Sequence, residues 1–567
     1  MIPKKSLCNI IVLTFVAALV ASVAAAQAPG DTGSASLSTA SASLSRTVVL
    51  DSLPQISAPT RRIPIAIPDN DEHALNTSAR QLGVQPSRSY APSGKPSLPV
   101  AETPGLTESY IGEDESGCGF FIPSDQAFAS ANLYTVQVLN SCIDIHNAKT
   151  GVRFSGYPKS LNTFFGVGGD LIGDPRAMFD WFSQRFIVVA EDFTANTFLV
   201  AASAGQDPRG GWFIYDISAN SGGLTGSADF PMVGQTFSES GDSKGAIYLS
   251  WDRFGSGGFV DNVVWILPKT PILSGGGFGF NFFFNLIVNG KTVDHVQPVD
   301  VMSRDDEPRS EFLVNTFDFN FGCPQAAPCN GLTIWAIHNG VPASGQSVTL
   351  NGVVIGTVNN YAQPVTAAQP GAPSGTACAI NPGFVGISST PQWSAGDIYA
   401  ATTTGALNGQ ATDGWIVWQI HPYLNGDGTI NTAVLRDEHC QGCGGFGDNN
   451  FSEYYPAVQP DDEGNITVVF NASGASTDPS LAIASRRSTQ IQNTFPDSGV
   501  YMQVGSAAYC QIDNSGRNRW GDYTATSPYG ETIANHPAFW FAGQFSEANG
   551  NWGTFIGKNG YTNVGQP

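Results

Sequence analysis

The sequence predicts an all-β protein built as a single β-propeller, and three observations support that fold class. Charged residues are only 13% of the chain, beside 64 glycines and 36 prolines. Long surface helices need charge on their wet face, so this composition favours short strands joined by turns. The 35 phenylalanines and 11 tryptophans suit pleated, half-buried surfaces. Short apolar runs also recur as one unit, roughly every 65 residues.

The first 26 residues are predicted to be a secretory signal peptide. Lys4 and Lys5 precede an apolar run from Ile10 to about Val23, and small residues follow it. A retained membrane anchor is the alternative, but the run is short for a span of about 20 residues. No later segment is apolar enough to span. We therefore expect a chain secreted to the extracellular space or the periplasm.

Residues 27–117 are rich in Ser, Ala, Thr and Pro and show no steady apolar period. Such a composition predicts a disordered linker or pro-segment before a propeller domain at 118–560. The stretch "RRIPIAIP", residues 61–68, is interpreted as part of that extended linker.

The domain contains repeated units that each begin with a short strand of small or apolar residues. A longer apolar strand follows, and then a strand with Trp, Tyr or Ile. One such sheet cannot bury both faces, but a ring of stacked sheets can. We expect seven blades, with six as the alternative, and a two-sheet sandwich or two β-domains as the competing fold. The units begin at residues 125, 173, 229, 297, 382, 454 and 520.

These units resemble secreted bacterial β-propellers that are loosely related to the sialidase and BNR-repeat superfamily. The resemblance covers about 118 to 558 and implies the fold but no particular reaction, because many such proteins have no assigned activity. A sialidase should also carry Asp-boxes, and "SGDSKGAIY" from Ser240 lacks the Gly, Thr and Trp of that motif. The similar stretches are "SDQAFASANLYTVQVLNSCIDIHNAKTG", "GDPRAMFDWFSQRFIVV", "DFPMVG" with "AIYLSWDRF", "GNITVVFNAS", and "RWGDYTATSP" with "FWFAGQF" and "WGTFIG".

Nine cysteines are present, and Cys8 would leave with the signal peptide. The even number that remains in an exported chain predicts disulfides. A zinc or redox site at "HCQGC", residues 439–443, is the alternative for the last pair, although there is no second CxxC. The predicted pairs are Cys118 with Cys142, Cys323 with Cys329, Cys378 with Cys510, and Cys440 with Cys443.

The formal net charge is −21 at pH 7. A chain this acidic repels nucleic acid phosphates and anionic lipid, so neither is an expected partner. We expect a monomer whose partner is an extracellular polysaccharide or glycoprotein.

Candidate ligand-binding residues come from the lead-ins to the innermost strands, which gather at one mouth of a propeller's channel. Carboxylates from separate blades can bind a cation or act as general acid and base. Arginine can form bidentate hydrogen bonds with a carboxylate or sulfate. The alternative for each is a structural role in a turn or between blades. The set is Asp174, Arg176, Asp229, Asp300, Tyr455, Arg519, Asp522 and Tyr523.

A calcium site is the one cofactor prediction. In "LNGDGTIN", residues 424–431, the side chains of Asn425, Asp427 and Thr429 alternate as oxygen ligands do in calcium loops. The full loop pattern with its terminal Glu is absent, and a simple β-turn is the alternative.

Function follows from these patterns only as a class. No HExxH motif is present, so the first hypothesis is a non-catalytic propeller that binds carbohydrate or another extracellular polymer at the channel mouth. The alternative is a secreted glycan-active enzyme, either a sialidase-like glycoside hydrolase or a polysaccharide lyase, that uses Asp and Arg residues from several blades. A structural component of the envelope or matrix is the third reading, and a channel plugged with side chains would favour it.

Overall fold

The computed structural model describes residues 32–56, 64–69, 103–131, 133–301, 303–318, 321–324, 326–405, 412–441, 451–461, 463–490, 492–496, 499–528 and 539–561. This part of the chain is nearly all β and forms several sheets, in agreement with the predicted class. None of its helices is long and apolar enough to cross a membrane. The predicted signal peptide lies outside the described residues.

Five strands precede the repeated units. They are β1 (Thr32–Ala42), β2 (Arg46–Val49), β3 (Ile65–Ala66), β4 (Glu108–Asp114) and β5 (Phe121–Ile122).

Antiparallel meanders follow in chain order, and all but one are made of strands that are neighbours in sequence. The first contains β6 (Ala127–Ser130), β7 (Tyr134–Leu139), β8 (Cys142–Asn147) and β9 (Lys159–Ser160), and helix α1 (Leu161–Phe165) comes next. Another contains β10 (Ile172–Asp180), β11 (Arg185–Asp192), β12 (Thr197–Ser203) and β13 (Gly211–Ser218). The next contains β14 (Ser227–Gln235), β15 (Ala246–Gly255), β16 (Gly258–Pro268), helix α2 (Lys269–Ile272), β17 (Phe278–Val288) and the short β18 (Lys291–Thr292).

The C-terminal half continues in the same way. Its strands are β19 (Gln297–Pro298), β20 (Asp300–Val301), β21 (Glu311–Asn315), β22 (Cys329–His338) and β23 (Thr349–Tyr361), then β24 (Gln392–Ser394), β25 (Asp397–Thr404), β26 (Gly414–Leu424) and β27 (Ile430–Gln441). The last two meanders are β28 (Phe451–Pro460), β29 (Ile466–Gly474), β30 (Thr477–Arg486) and β31 (Val500–Gln503), followed by β32 (Ala525–Pro528), β33 (Phe539–Ser546) and β34 (Trp552–Asn559).

Apolar side chains fill the space between one meander and the next. Phe198 of β12, for example, packs its ring against Trp251 and Trp265 of the following meander, with centroids 5.5 and 5.4 Å apart. Tyr399 and Trp415 share a buried cluster with Phe470 in the same manner. The core is therefore divided among successive sheet-to-sheet contacts, which is how stacked sheets bury both faces.

The expected disorder of the N-terminal segment is not confirmed for residues 32–56. Strand β1 pairs antiparallel with β17 and, at Thr32 and Gly33, with β23, while β2 pairs with β13. The small side chains of β1 explain both why the strand fits here and why its sequence predicts disorder. A Cβ at Gly33 would overlap the indole ring of Trp335, and a strand of Ser, Ala, Thr and Gly with a single Leu shows no apolar period to detect.

Strand β4 joins the two ends of the repeated region. It pairs antiparallel with β34, so residues 108–114 complete the sheet of the last meander. This pairing brings the lead-in to β6 close to the lead-in to β32. Side chains from the first and last repeats can therefore meet in one site.

Three of the predicted disulfides are confirmed, namely Cys118–Cys142, Cys323–Cys329 and Cys378–Cys510. The predicted Cys440–Cys443 pair lies outside the described residues because Cys443 is not among them. Disulfides persist in oxidising compartments, so these bonds are compatible with a secreted protein.

Candidate functional site

The chain at or before the start of each meander's first strand, which we call the lead-in, repeats one backbone feature. One residue there has a positive φ angle, which is uncommon for any residue but glycine. The β-ladder is interrupted at the same point in several repeats, for example between Gly173 and Arg176 and between Tyr454 and Ala457. The positive-φ residues are Asp125, Asp174, Phe230, His295, Gly383, Tyr455 and Gly521.

Three buried aspartates meet where the lead-ins of three meanders converge. Asp125, Asp174 and Asp522 each place a carboxylate oxygen within 4.8 Å of the other two. The backbone N–H of Asp522 donates to Asp125 Oδ1 at 2.7 Å. Asn140 Nδ2 donates to Asp125 Oδ2 at 2.6 Å, and the Asp174 N–H donates to Asn140 Oδ1 at 2.8 Å. Backbone and amide donors thus hold the Asp125 carboxylate in place.

Arg519 connects this group to the N-terminal part of the chain. Its Nη2 forms an ion pair with Asp522, and its Nη1 donates to the Ile67 carbonyl at 3.2 Å. Its Nε lies 3.4 Å from Asp69 Oδ2, and Arg517 Nη1 donates to the same oxygen at 3.0 Å. We call Asp125, Asp174, Arg519, Asp522 and Tyr523 the central cluster.

Tyr523 and Arg176 form a stacked pair beside the aspartates. The Arg176 guanidinium carbon lies 3.1 Å from the centroid of the Tyr523 ring, and Tyr523 donates its hydroxyl hydrogen to Asp174 Oδ2 at 3.1 Å. Arg176 donates from Nε to the Pro231 carbonyl at 2.6 Å and from Nη1 to the Pro175 carbonyl at 3.0 Å. The guanidinium is therefore held by ring and backbone contacts.

Burial controls the protonation of the central cluster. Burial, together with the charges of Asp125 and Asp229, raises the pKa of Asp174 well above its usual range. Burial also raises the pKa of Asp125, which Arg519 opposes, and it raises the pKa of Tyr523. Burial thus favours the protonated forms of Asp174 and Tyr523.

Aromatic rings extend the packing across the remaining repeats. Phe230 lies 5.2 Å from Tyr523, 5.1 Å from Phe384 and 4.8 Å from His295, measured between ring centroids. His295 stacks on Phe384 with centroids 4.3 Å apart. These side chains are buried, so the centre at this level is filled rather than open.

A small cavity adjoins this packing. Its volume is about 40 Å³, and Gln126, Arg176, Ser389, Tyr523 and Thr524 are part of its lining. Neither polar atom of the Gln126 side chain has a hydrogen-bond partner among the described residues. A space of this volume accommodates a few water-sized groups but not a sugar ring.

Six of the eight predicted ligand residues lie together. Five of them contact one another directly or through one neighbour, namely Asp174, Arg176, Arg519, Asp522 and Tyr523. The charge of the sixth, Asp229, helps to raise the pKa of Asp174. All six are at most 4% exposed. These residues interact with one another inside the protein and do not form an open binding surface.

Of the other two predicted residues, Tyr455 shares a buried cluster with Trp520, the neighbour of Arg519, and Asp300 lies elsewhere. Asp300 pairs in register with Gln235, at the far end of β14, and accepts a hydrogen bond from its Nε2 at 2.9 Å. Gln235 is six residues beyond Asp229, about 20 Å along an extended strand. His295, and not Asp300, holds the equivalent lead-in position. Tyr455 packs against Gly383, and its N–H donates to Thr403 Oγ1 at 3.0 Å.

Sequence reasoning missed several residues of the site. Asp125 was detectable, because "SDQ" at 124–126 aligns with "GDP" at 173–175 in the repeat. His295 and Asp69 carried no such signal. His295 is buried among three carboxylates, those of Asp252, Asp294 and Asp318, each 3.5–3.6 Å from a ring nitrogen.

The predicted calcium residues form the turn between β26 and β27. Asp427 Oδ1 accepts hydrogen bonds from the Thr429 hydroxyl at 2.6 Å and from its N–H at 3.1 Å. Asn425 Nδ2 donates to Thr429 Oγ1 at 3.0 Å. These bonds satisfy a β-turn by themselves, and calcium binding here stays a prediction.

The comparisons with known proteins identify no family. No protein-family model and no curated protein matches this chain. Among solved structures, it is similar to an ulvan lyase of polysaccharide lyase family PL25, with TM-score 0.34 and 11% identity over 81% of this chain and 94% of that one.

Two further solved structures show the same level of similarity. A protein of unknown function from Dyadobacter fermentans has TM-score 0.32 and 7% identity over 81% of this chain and 100% of that one. A GH43 endo-arabinanase from Bacillus licheniformis has TM-score 0.26 and 9% identity over 64% of this chain and 93% of that one. Scores this low establish no shared fold or function, and the sialidase resemblance is not confirmed.

Proposed function

We propose that this chain is a secreted β-propeller of seven blades that binds an extracellular carbohydrate polymer at the channel mouth without catalysis. The meanders β6–β9, β10–β13, β14–β17, β19–β23, β24–β27, β28–β31 and β32–β34 would be the blades. Two features support the arrangement. Each meander packs against the next, and β4 joins the last sheet to the chain that leads into the first.

The burial and internal bonding of the central cluster support a non-catalytic role. A glycoside hydrolase needs two carboxyl groups about 5 to 10 Å apart on either side of an open substrate site. Here Asp174 and Asp522 are 2% and 4% exposed, and their bonds go to Tyr523 and Arg519 of the same chain. Groups that hold one another in this way are suited to positioning the lead-in loops.

One observation favours the enzymatic alternative. Asp174 has a raised pKa and lies beside a second carboxylate, and a general acid needs such a shift to stay protonated near neutral pH. A hydrolase or lyase would have to open the centre before substrate could reach that carboxyl group.

A polysaccharide screen separates these functions. The chain from residue 27 onward, which keeps β1 to β4, would be tested with immobilised polysaccharides for retention and for release of reducing or unsaturated chain ends. We expect retention on at least one polysaccharide without release. Release that disappears in Asp174→Asn but persists in Asp305→Asn, the same change at an exposed residue between β20 and β21, would establish the enzyme. Absence of retention on every polysaccharide would favour a structural component.

A further inference from the structure

Residues 64–69, which we call the mouth segment, cover the place where three lead-ins meet. Strand β3 within it pairs in parallel with β5, just before Asp125. The Ile67 side chain is 3% exposed and packs against Gly173, where a Cβ would lie 2.9 Å from Ile67 Cγ2. Its carbonyl accepts a hydrogen bond from Arg519. The mouth segment therefore contacts the first, second and last repeats at once.

Asp69 is bound as an acidic ligand would be bound. Its Oδ2 lies 3.0 Å from Arg517 Nη1 and 3.4 Å from Arg519 Nε, and these arginines are two residues apart in a chain with 47 acidic residues and only 26 basic ones. Two guanidinium groups that converge on one carboxylate are a strong recognition geometry. The carboxylate comes from a segment 448 residues away in sequence.

Both arginines retain a partner when Asp69 is removed. Arg517 Nη2 lies 2.8 Å from Asp513 Oδ2, and Arg519 is paired with Asp522. The mouth segment, by contrast, is attached through a ladder of only two residue pairs, Ile65 with Phe121 and Ala66 with Ile122. Segments with so few backbone bonds are the first to open locally.

We propose that Asp69 occupies a binding subsite for a carboxylate group of an acidic polysaccharide, and that the mouth segment is a displaceable plug over that subsite. This inference rests on the proposed function and adds the ligand class and its regulation. A uronic acid unit of the polymer would replace Asp69 between Arg517 and Arg519. The negative charge of the whole protein opposes an acidic polymer only at long range, and physiological salt screens it beyond roughly 8 Å.

The first test compares Asp69→Asn with wild type for binding of a polygalacturonate oligosaccharide by calorimetry in 0.15 M salt. Removal of the internal carboxylate increases the fraction of molecules that can bind, so we expect affinity to rise about tenfold or more. Asp305→Asn, the same change at an exposed residue between β20 and β21, should bind like wild type. A neutral galactose oligosaccharide of equal length should show no gain in any variant.

The second test uses the wild-type protein and does not depend on how a variant folds. If the polymer displaces the plug, polygalacturonate should speed proteolytic cleavage within residues 64–69, and the neutral oligosaccharide should not. Unchanged or slower cleavage would overturn the inference, as would equal polygalacturonate affinity for Asp69→Asn and wild type. A gain for polyglutamate alone would also overturn it, because the ligand would then be an acidic protein.

The outcomes also separate this inference from the proposed function. One outcome is that the polysaccharide screen finds retention while Asp69→Asn shows no increase in affinity for the acidic oligosaccharide. In that case the inference of a displaceable plug is wrong and the proposed binding function stands. If neither wild type nor Asp69→Asn retains any polysaccharide, both are wrong.

Discussion

Asp300 and Asp174 are buried aspartates with different neighbours, and their comparison shows how single residues set the electrostatics of this protein. Asp174 lies beside other carboxylates and under Tyr523. Asp300 lies beside Gln235 and near the Lys269–Asp180 ion pair, in which both side chains are 0% exposed. Burial raises the pKa of Asp300 to about 6, and the hydrogen bond from Gln235 and the charge of Lys269 oppose the rise.

The raised pKa of Asp300 predicts a pH dependence of stability. An unfolded aspartate titrates at about 4, so between about pH 4 and pH 6 the unfolded state binds fewer protons than the folded state. The free energy of unfolding therefore falls as pH rises through this window, by up to roughly 1 kcal/mol per pH unit from this group. Urea unfolding of wild type and Asp300→Asn at pH 4 to 7 measures this pH dependence of the free energy of unfolding.

The expected result is a flatter pH profile for Asp300→Asn between pH 4 and 6. Asp427→Asn is the control, because the pKa of Asp427 is lowered by its bonds to Thr429 and cannot produce a fall in this direction. A profile for Asp300→Asn that parallels wild type would show that Asp300 is not the group responsible.

At the scale of elements, β1 is the strand whose role could not be read from its residues. Its alanines Ala40 and Ala42 pack against the cluster that contains Phe278, Phe280 and Phe282 of β17, and it is paired on its other side with β23. A strand whose one large side chain, Leu37, is exposed thus covers large ones on its neighbours. Most of the apolar surface that β1 buries is therefore on the side chains of β17.

Removal of β1 should therefore destabilise a distant part of the chain. A chain that begins at residue 44 leaves the edge of β17 unpaired and partly exposes its phenylalanines, each worth roughly 2 kcal/mol when fully buried. We expect a lower urea midpoint and aggregation, measured by fluorescence and light scattering, relative to a chain that begins at residue 32. Equal midpoints for the two chains would mean that β1 adds nothing to the core.

At the scale of the whole molecule, long-range links hold the series of meanders together. Strand β4 ties the start of the repeated region to its end, and Cys378–Cys510 ties the chain before β24 to the chain before β32 across 132 residues. Cys323–Cys329 spans only 6 residues. The chain-entropy account of disulfides gives the longer link the larger effect.

The two disulfides offer a matched comparison. Replacement of Cys378 and Cys510 by serine should lower the free energy of unfolding by about 5 kcal/mol on the chain-entropy account, and replacement of Cys323 and Cys329 by about 2 kcal/mol. Denaturant unfolding of both double variants measures the difference. An equal loss in the two variants would contradict the entropic explanation for this protein.

The all-β class and the presence of disulfides followed from sequence, because composition, apolar period and an even cysteine count are local or countable properties, whereas the pairing of Cys378 with Cys510 is fixed only by the fold. Six of the eight candidate ligand residues also fell in one place, since equivalent positions of a repeat occupy equivalent places in stacked sheets. Asp300 was wrongly placed in the site because the sequence alignment of its repeat was shifted by five residues. The positive φ angle of His295 identifies the equivalent position.

The sequence by itself therefore determined the type of secondary structure and the order of the repeats, both of which depend on neighbouring residues. Only the tertiary structure decided which side chains meet. The Asp69–Arg517 contact joins residues 448 apart, and the Asp522–Asp125 hydrogen bond joins residues 397 apart. No local pattern encodes such distances, because they arise when the last meander is completed by β4 and the mouth segment is laid across the lead-ins.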